Sequence, residues 1–187
     1  MSFISIFVAL GLLVIIFLAI SAYNGLVGLN AQVSRAWANI DVILKQRFDE
    51  IPQLIQVIEQ YASYEQKTLQ KIIEARNTYG KAHNINEKIS ASNQLSSALG
   101  GLIALGEAYP DLKANQSFVQ LQSRVSQLEN QIADRREVFN EAVTNFNTRI
   151  VQIPDVFFAN MLGYSQRELY RPPQSETTAP SLKMNIG

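Results

Sequence analysis

The chain has 187 residues, with 16 Lys+Arg against 16 Asp+Glu and a formal net charge of +0. That balance removes the usual electrostatic drive for nucleic-acid binding, which needs a surplus of cations against phosphate. Cysteine is absent, which excludes a disulfide framework, a cysteine zinc site, a thiol nucleophile and lipid attachment through Cys.

Residues 3–22 read FISIFVALGLLVIIFLAISA, without a charged side chain. Twenty residues at about 1.5 Å each make a helix of about 30 Å, the thickness of a hydrocarbon core. No Lys or Arg precedes the run, it is long for a signal h-region, and Ala19-Ile20-Ser21-Ala22 matches a cleavage site only loosely. An uncleaved transmembrane anchor over 1–22 is therefore expected rather than a removed signal. The cations that follow, Arg35, Lys45 and Arg47, favour the N-terminus outside and the domain inside.

Tyr23 falls at the expected interface. No breaker follows. Leu26, Leu29, Val33, Ala36, Ile40 and Ile43 then recur in steps of three and four, a single stripe widened by Trp37 and Leu44. The membrane helix is expected to run on into water as one rod with a fixed orientation to the bilayer. At Arg47 and Ile51 the register drifts beside Pro52, which lacks a backbone donor and clashes with the preceding turn. A kink is expected there, or a break with Pro52 in the first turn of a new helix. The stripe resumes with Ile55, Ile58, Ala62, Leu69, Ile72 and Tyr79, interrupted by Glu65 and Arg76.

Residues 80–86 make the first predicted loop. A third helix carries Ile89, Leu95, Leu99, Leu102 and Leu105, with Gly100 and Gly101 in its middle; Pro110 ends it and Asp111 is placed to cap the next. The fourth helix has the clearest pattern: Phe118, Leu121, Val125, Leu128, Ile132, Phe139, Ala142 and Phe146, interrupted by Arg135 and Arg149. Its expected length is roughly 40 residues, or 60 Å. Pro154 opens a short apolar helix over 156–162, stopped by Gly163. From 165 to 187 the composition predicts a disordered tail. Helices with one apolar stripe are unstable alone, so those of 23–164 are expected to pair as an antiparallel bundle or coiled coil.

The chemistry-bearing residues point away from catalysis. His83 is the single histidine and lies in the predicted loop without a ligand partner at helical spacing, so neither a metal nor a cofactor is expected. No G-x-S-x-G elbow is present. Asp41 and Lys45 stand one turn apart as a surface pair, and nothing in the pattern buries two carboxylates together. Arg47, Glu65, Arg135 and Arg149 occupy stripe positions. The preferred reading is snorkelling, the stem packed and the head in water; the alternative is interhelical salt bridges that fix register. Asn140 and Asn147 share a flank of the fourth helix, either bonding a partner helix or solvated. Phe157, Phe158, Met161 and Leu162 form the candidate interaction site, as a lid on the bundle or as an apolar patch for a partner or the bilayer surface. Uncovered stripe on the long helices would also favour homo-oligomers.

In order along the chain stand Tyr23-Asn24, Leu26-Val27, Ala36-Trp37, Ile40-Asp41-Val42, Leu44-Lys45, Arg47, Ile51-Pro52, Leu54, Tyr61 and Glu74-Ala75-Arg76-Asn77. Glu107-Ala108-Tyr109-Pro110-Asp111-Leu112-Lys113-Ala114-Asn115, Arg136, Phe139-Asn140, Ala142-Val143 and Phe146-Asn147 complete the set. In this order they resemble the LemA family of bacterial membrane proteins over residues 23–164. Gln46, Glu50, the Gly100 and Gly101 pair and the segment beyond Tyr170 depart from its pattern. The resemblance implies an all-α fold, an N-terminal transmembrane helix followed by a long-helix antiparallel bundle, in a bacterial cytoplasmic (inner) membrane. It implies no enzymatic reaction and no cofactor. One branch of the family is associated with intracellular membrane compartments. The expected role is that of a membrane-anchored scaffold or interaction protein. Its expected partners are the membrane, copies of itself and other membrane proteins, with no nucleic acid and no small-molecule substrate. The alternative is a regulatory accessory of a membrane protease or envelope-stress system.

Overall fold

The computed structural model describes residues 3–61 and 66–173, apart from the side chains at 4, 5 and 102–105. Within them every regular element is a helix: α1 (Phe3–Tyr61), α2 (Gln66–Lys81), α3 (Ile85–Ala108), α4 (Pro110–Ala114), α5 (Gln116–Arg149) and α6 (Asp155–Met161). The all-α expectation holds. The expectations for Ala62, Glu65, the side chains of Leu102 and Leu105, and residues 174–187 fall outside the described residues. The chain packs as two units. One joins the start of α1, as far as Ile40, to residues 135–169; the other joins residues 41–134 to the segment from Tyr170 onward.

In the first unit, α1 is long and apolar enough to cross a membrane. Phe7, Leu13 and Phe17 are exposed, as lipid-facing side chains would be. Burial begins at Ala22 and follows the predicted stripe through Leu26, Val33, Ala36 and Ile40. The helix is unbroken from Ala22 to Leu29; no Pro removes a donor there, and the Asn24, Gly25 and Gly28 positions, which could cap a helix elsewhere, stay inside it. The end of α5 lies antiparallel against it. Trp37 meets Phe139 edge-on at 5.7 Å, and Arg149 comes within 3.6 Å of the place a Cβ on Gly25 would take. Phe139, Val143, Phe146 and Ile150 supply the facing apolar row.

After α6 the chain turns back. The Tyr164 amide donates to Ala159 O at 2.9 Å and the Gly163 amide to Asn160 O at 3.1 Å, the paired bonds that close a helix through a left-handed residue. Gly163 takes that conformation, φ 68°, at no steric cost. Tyr164 then stacks edge-on against Phe146 at 5.4 Å.

In the second unit, Ile51, Leu54, Ile58, Leu69, Ile72, Leu95, Leu99, Leu112, Phe118 and Val125 form the core. Here too α1 and α5 are antiparallel: Glu50 pairs with Arg124 at 3.0 Å, and Tyr61 Oη accepts from Asn115 at 2.9 Å. The predicted loop is shorter than 80–86, because α2 runs on through Gly80 and Lys81. Asn84 caps α3: its Oδ1 accepts the Glu87 amide at 2.9 Å, and Glu87 Oε2 accepts the His83 amide at 2.7 Å. This reciprocal box begins the helix four residues before Ile89.

Three expectations are corrected. First, of the two alternatives at Pro52 the break is overturned, since α1 continues with Pro52 inside it to Tyr61. Pro52 has no amide for Phe48 O, and Arg76 supplies the donor instead, its Nε reaching that oxygen at 3.3 Å. The same guanidinium lies 4.1 Å from the centre of the Phe48 ring. Second, Asp111 is not a cap. Tyr109 is the N-cap of the short α4, with Pro110 first inside it, and Asn115 caps α5 by accepting the Phe118 amide at 3.0 Å. α5 therefore has 34 residues rather than 40. Third, the disordered tail expected from residue 165 does not begin there. In the first unit Asn147 holds Arg167 by both its amide and its carbonyl, each at 2.8 Å. In the second, Tyr170 is buried and Arg171 O accepts from Asn93 at 2.9 Å.

Candidate functional site

The four residues singled out in sequence lie on or beside α6, in the first unit. Its inner face carries Asp155 and Ala159, both buried. Its outer face carries Phe157 and Met161, one turn apart and both exposed; Phe158 and Leu162 are half-buried between the faces. Val151 and Ile153, in the turn before α6, are exposed as well. Sequence reasoning missed these two. They belong to the connection between helices, where periodicity says nothing. Asp155 anchors the helix through Arg149 Nε at 3.0 Å.

The three described stripe positions with charged side chains, Arg47, Arg135 and Arg149, do not share one fate. Arg47, in the second unit, is fully buried. It pairs with Glu129 of α5 through one amino group, which also reaches Ser96 Oγ at 2.8 Å. The other donates to Ser92 Oγ at 2.7 Å and Ser92 O at 3.2 Å. Ser96 Oγ donates to Glu129 Oε2 at 2.9 Å, and Ser92 Oγ shares a hydrogen bond of 2.7 Å with Tyr170 Oη. Snorkelling is thus overturned for Arg47. No part of the side chain is exposed, so the head does not reach water and must be paired in place. Arg135 is exposed and leaves the stripe altogether. Arg149 is partly exposed and ion-paired with Asp155.

Asp41 does not pair with Lys45. Lys88 of α3 takes it at 2.6 Å, and Lys45 turns to Asp49 at 3.3 Å. Beside Asp41 lies Tyr79, whose pKa is raised to about 12 by burial first and then by the Asp41 charge. Glu87 is held below the ordinary carboxylate range by the His83 amide first, with the Asn84 amide and side chain adding to it. Asn147 bonds a returning backbone segment rather than a helix.

An open groove in the second unit is lined by Lys71, Glu74, Thr78, Asn93, Gln94 and Ser97. Its carboxylate and its ammonium are surface groups, and it offers no buried pair for acid–base work. His83 is exposed in the α2–α3 turn. Among the described residues no three His, Asp or Glu side chains gather as metal ligands would.

An apolar helix that continues into an antiparallel helical domain, with its interior filled by side chains, defines a membrane protein of the helical-bundle class. The model of the LemA family matches residues 36–184, and the chain belongs to that family. It is 27% identical to Protein LemA of Metamycoplasma hominis over 138 residues, 72% of this chain and 62% of that protein. It is 28% identical to magnetosome protein MamQ 2 of Paramagnetospirillum magneticum over 83 residues, 44% of this chain and 30% of that one. With magnetosome protein MamQ of Magnetospirillum gryphiswaldense the match is 27% over 82 residues. The chain therefore spans under two thirds of the length of these relatives.

Proposed function

We propose that this protein is a membrane-anchored scaffold that organises membrane or envelope complexes through its surfaces and performs no catalysis. The observation that carries the reading is the continuity of α1 from its exposed apolar segment into the buried stripe at Ala22, Leu26 and Val33. Such a domain is held at the bilayer by packing rather than by a leash, which is what a protein that positions partners requires. The magnetosome proteins among its relatives agree with a role at a membrane structure. The protein sits in a bacterial cytoplasmic membrane, N-terminus out and domain inside, and associates with copies of itself. Two experiments test this. Protease access to the domain in intact cells against spheroplasts fixes the side. Crosslinking in native membranes followed by light scattering in mild detergent gives the assembly. A monomer without crosslinked partners overturns the scaffold reading.

A further inference from the structure

Val151, Ile153, Phe157 and Met161 put large apolar side chains into the open, Ile153 at 81%, Phe157 at 67% and Met161 at 69% exposure. α6 is inverted relative to a helix in water, with an acid inside and an aromatic ring outside. A lid closing the bundle would turn the large groups inward.

Their level along α1 decides what covers them. Within this unit Trp37 lies by Phe139 and Gly25 by Arg149. One further turn of the same antiparallel pairing sets residues 150–154 level with Ala22. The burial of Ala22 agrees, since among the described residues of this unit only 135–169 lie outside α1 to cover it. Residues 3–22 match a hydrocarbon core of about 30 Å, so Ala22 marks its edge. The start of the exposed apolar segment, Val151 and Ile153, thus stands at the depth of the headgroup layer, and α6 with Phe157 and Met161 follows directly from it.

We propose that residues 151–161 make a second contact with the bilayer that α1 crosses. Val151, Ile153, Phe157 and Met161 enter the boundary between headgroups and acyl chains. An amphipathic element at that boundary buries its apolar face by about 5–10 Å. Arg149, partly exposed at the end of α5, stands where a cation can reach the phosphate layer. The inference rests on α1 spanning the membrane.

The chain has no cysteine of its own, so Val151→Cys, Phe157→Cys and Met161→Cys each accept one environment-sensitive fluorophore in the full-length protein. Leu12→Cys marks the anchor. In phosphatidylcholine–phosphatidylglycerol vesicles the three labels should shift to the blue and be quenched more by a shallow nitroxide lipid than by a deep one, with the opposite order at Leu12. Strong deep quenching at Leu12 without lipid quenching at the three sites overturns the contact and leaves the anchor standing. A blue shift without lipid quenching does the same and assigns the patch to a second copy or another protein. Loss of deep quenching at Leu12 overturns both.

Discussion

Arg47 and Glu129 are a pair of unequal partners. Arg47 is fully buried, while the Glu129 side chain keeps 28% of its exposure. Glu129→Ala leaves a buried cation without its counter-charge, a loss of about 3–5 kcal/mol. Arg47→Met removes the cation and leaves a carboxylate that can rehydrate, so the loss should be nearer about 1–3 kcal/mol. Urea unfolding of the two variants should show that order, and equal losses would refute it. Tyr79 supplies a pH dependence. Its folded pKa of about 12 lies above the ordinary 10.0, so the folded state keeps the phenol proton longer than the unfolded chain. Its contribution to stability is complete below pH 10, and falls as pH rises through 10 to 12. Ultraviolet titration should show a late-ionising component that loses one tyrosine's worth of amplitude in Tyr79→Phe. In the sequence Arg47 was legible as an anomaly, a charge on an apolar stripe. Its resolution was not legible, because the partner lies 82 residues away and no local rule links them.

At the scale of the element, the apolar stripes were readable almost residue by residue. Leu26, Val33, Ile40, Ile58, Ile72, Leu128, Ile132 and Phe146 are all buried, since burial on a helix follows its period. The ends were less readable. Asn115 three residues before Phe118 is an ordinary cap signal that Asp111, nearer the proline, outcompeted. Pro52 was legible as a fault in the helix, but its repair by Arg76 comes from another helix. That repair is testable by a double-mutant cycle. Arg76→Ala strips the donor from Phe48 O and should cost about 1–2 kcal/mol. Pro52→Ala returns an amide to the same oxygen, so Arg76→Ala should cost less in that background. Additive losses would show that the guanidinium stabilises only through the Phe48 ring.

For the whole molecule, the anchor sets a height as well as an address. Four apolar residues inserted after Leu18 lengthen α1 by about 6 Å. If the added turn stays in the hydrocarbon without tilting, the depth of the Phe157 label is unchanged; inserted after Tyr23 instead, it leaves the pairing of Gly25 with Arg149 intact but lifts both, and residues 151–161 with them, about 6 Å from the anchor. Nitroxide quenching should therefore be lost from Phe157 in the second insertion and kept in the first. N-terminal sequencing of the membrane-bound chain distinguishes an anchor from a removed signal: an intact segment 3–22 is expected.

The pairing of the beginning of α1 with residues 135–169 also has a consequence for biosynthesis. The apolar segment of α1 leaves the ribosome well before residues 135–169 and can enter the bilayer while these are unmade. The stripe at Leu26, Val33 and Ile40 then waits, uncovered, for residues 135–169 to be made. Long-range contacts of this kind form late and leave sticky surface exposed during synthesis. A nascent chain halted before residue 135 should accordingly bind chaperones and be cut readily by protease, whereas one extended past residue 169 should resist, a transition that ribosome-stalled chains of graded length would locate.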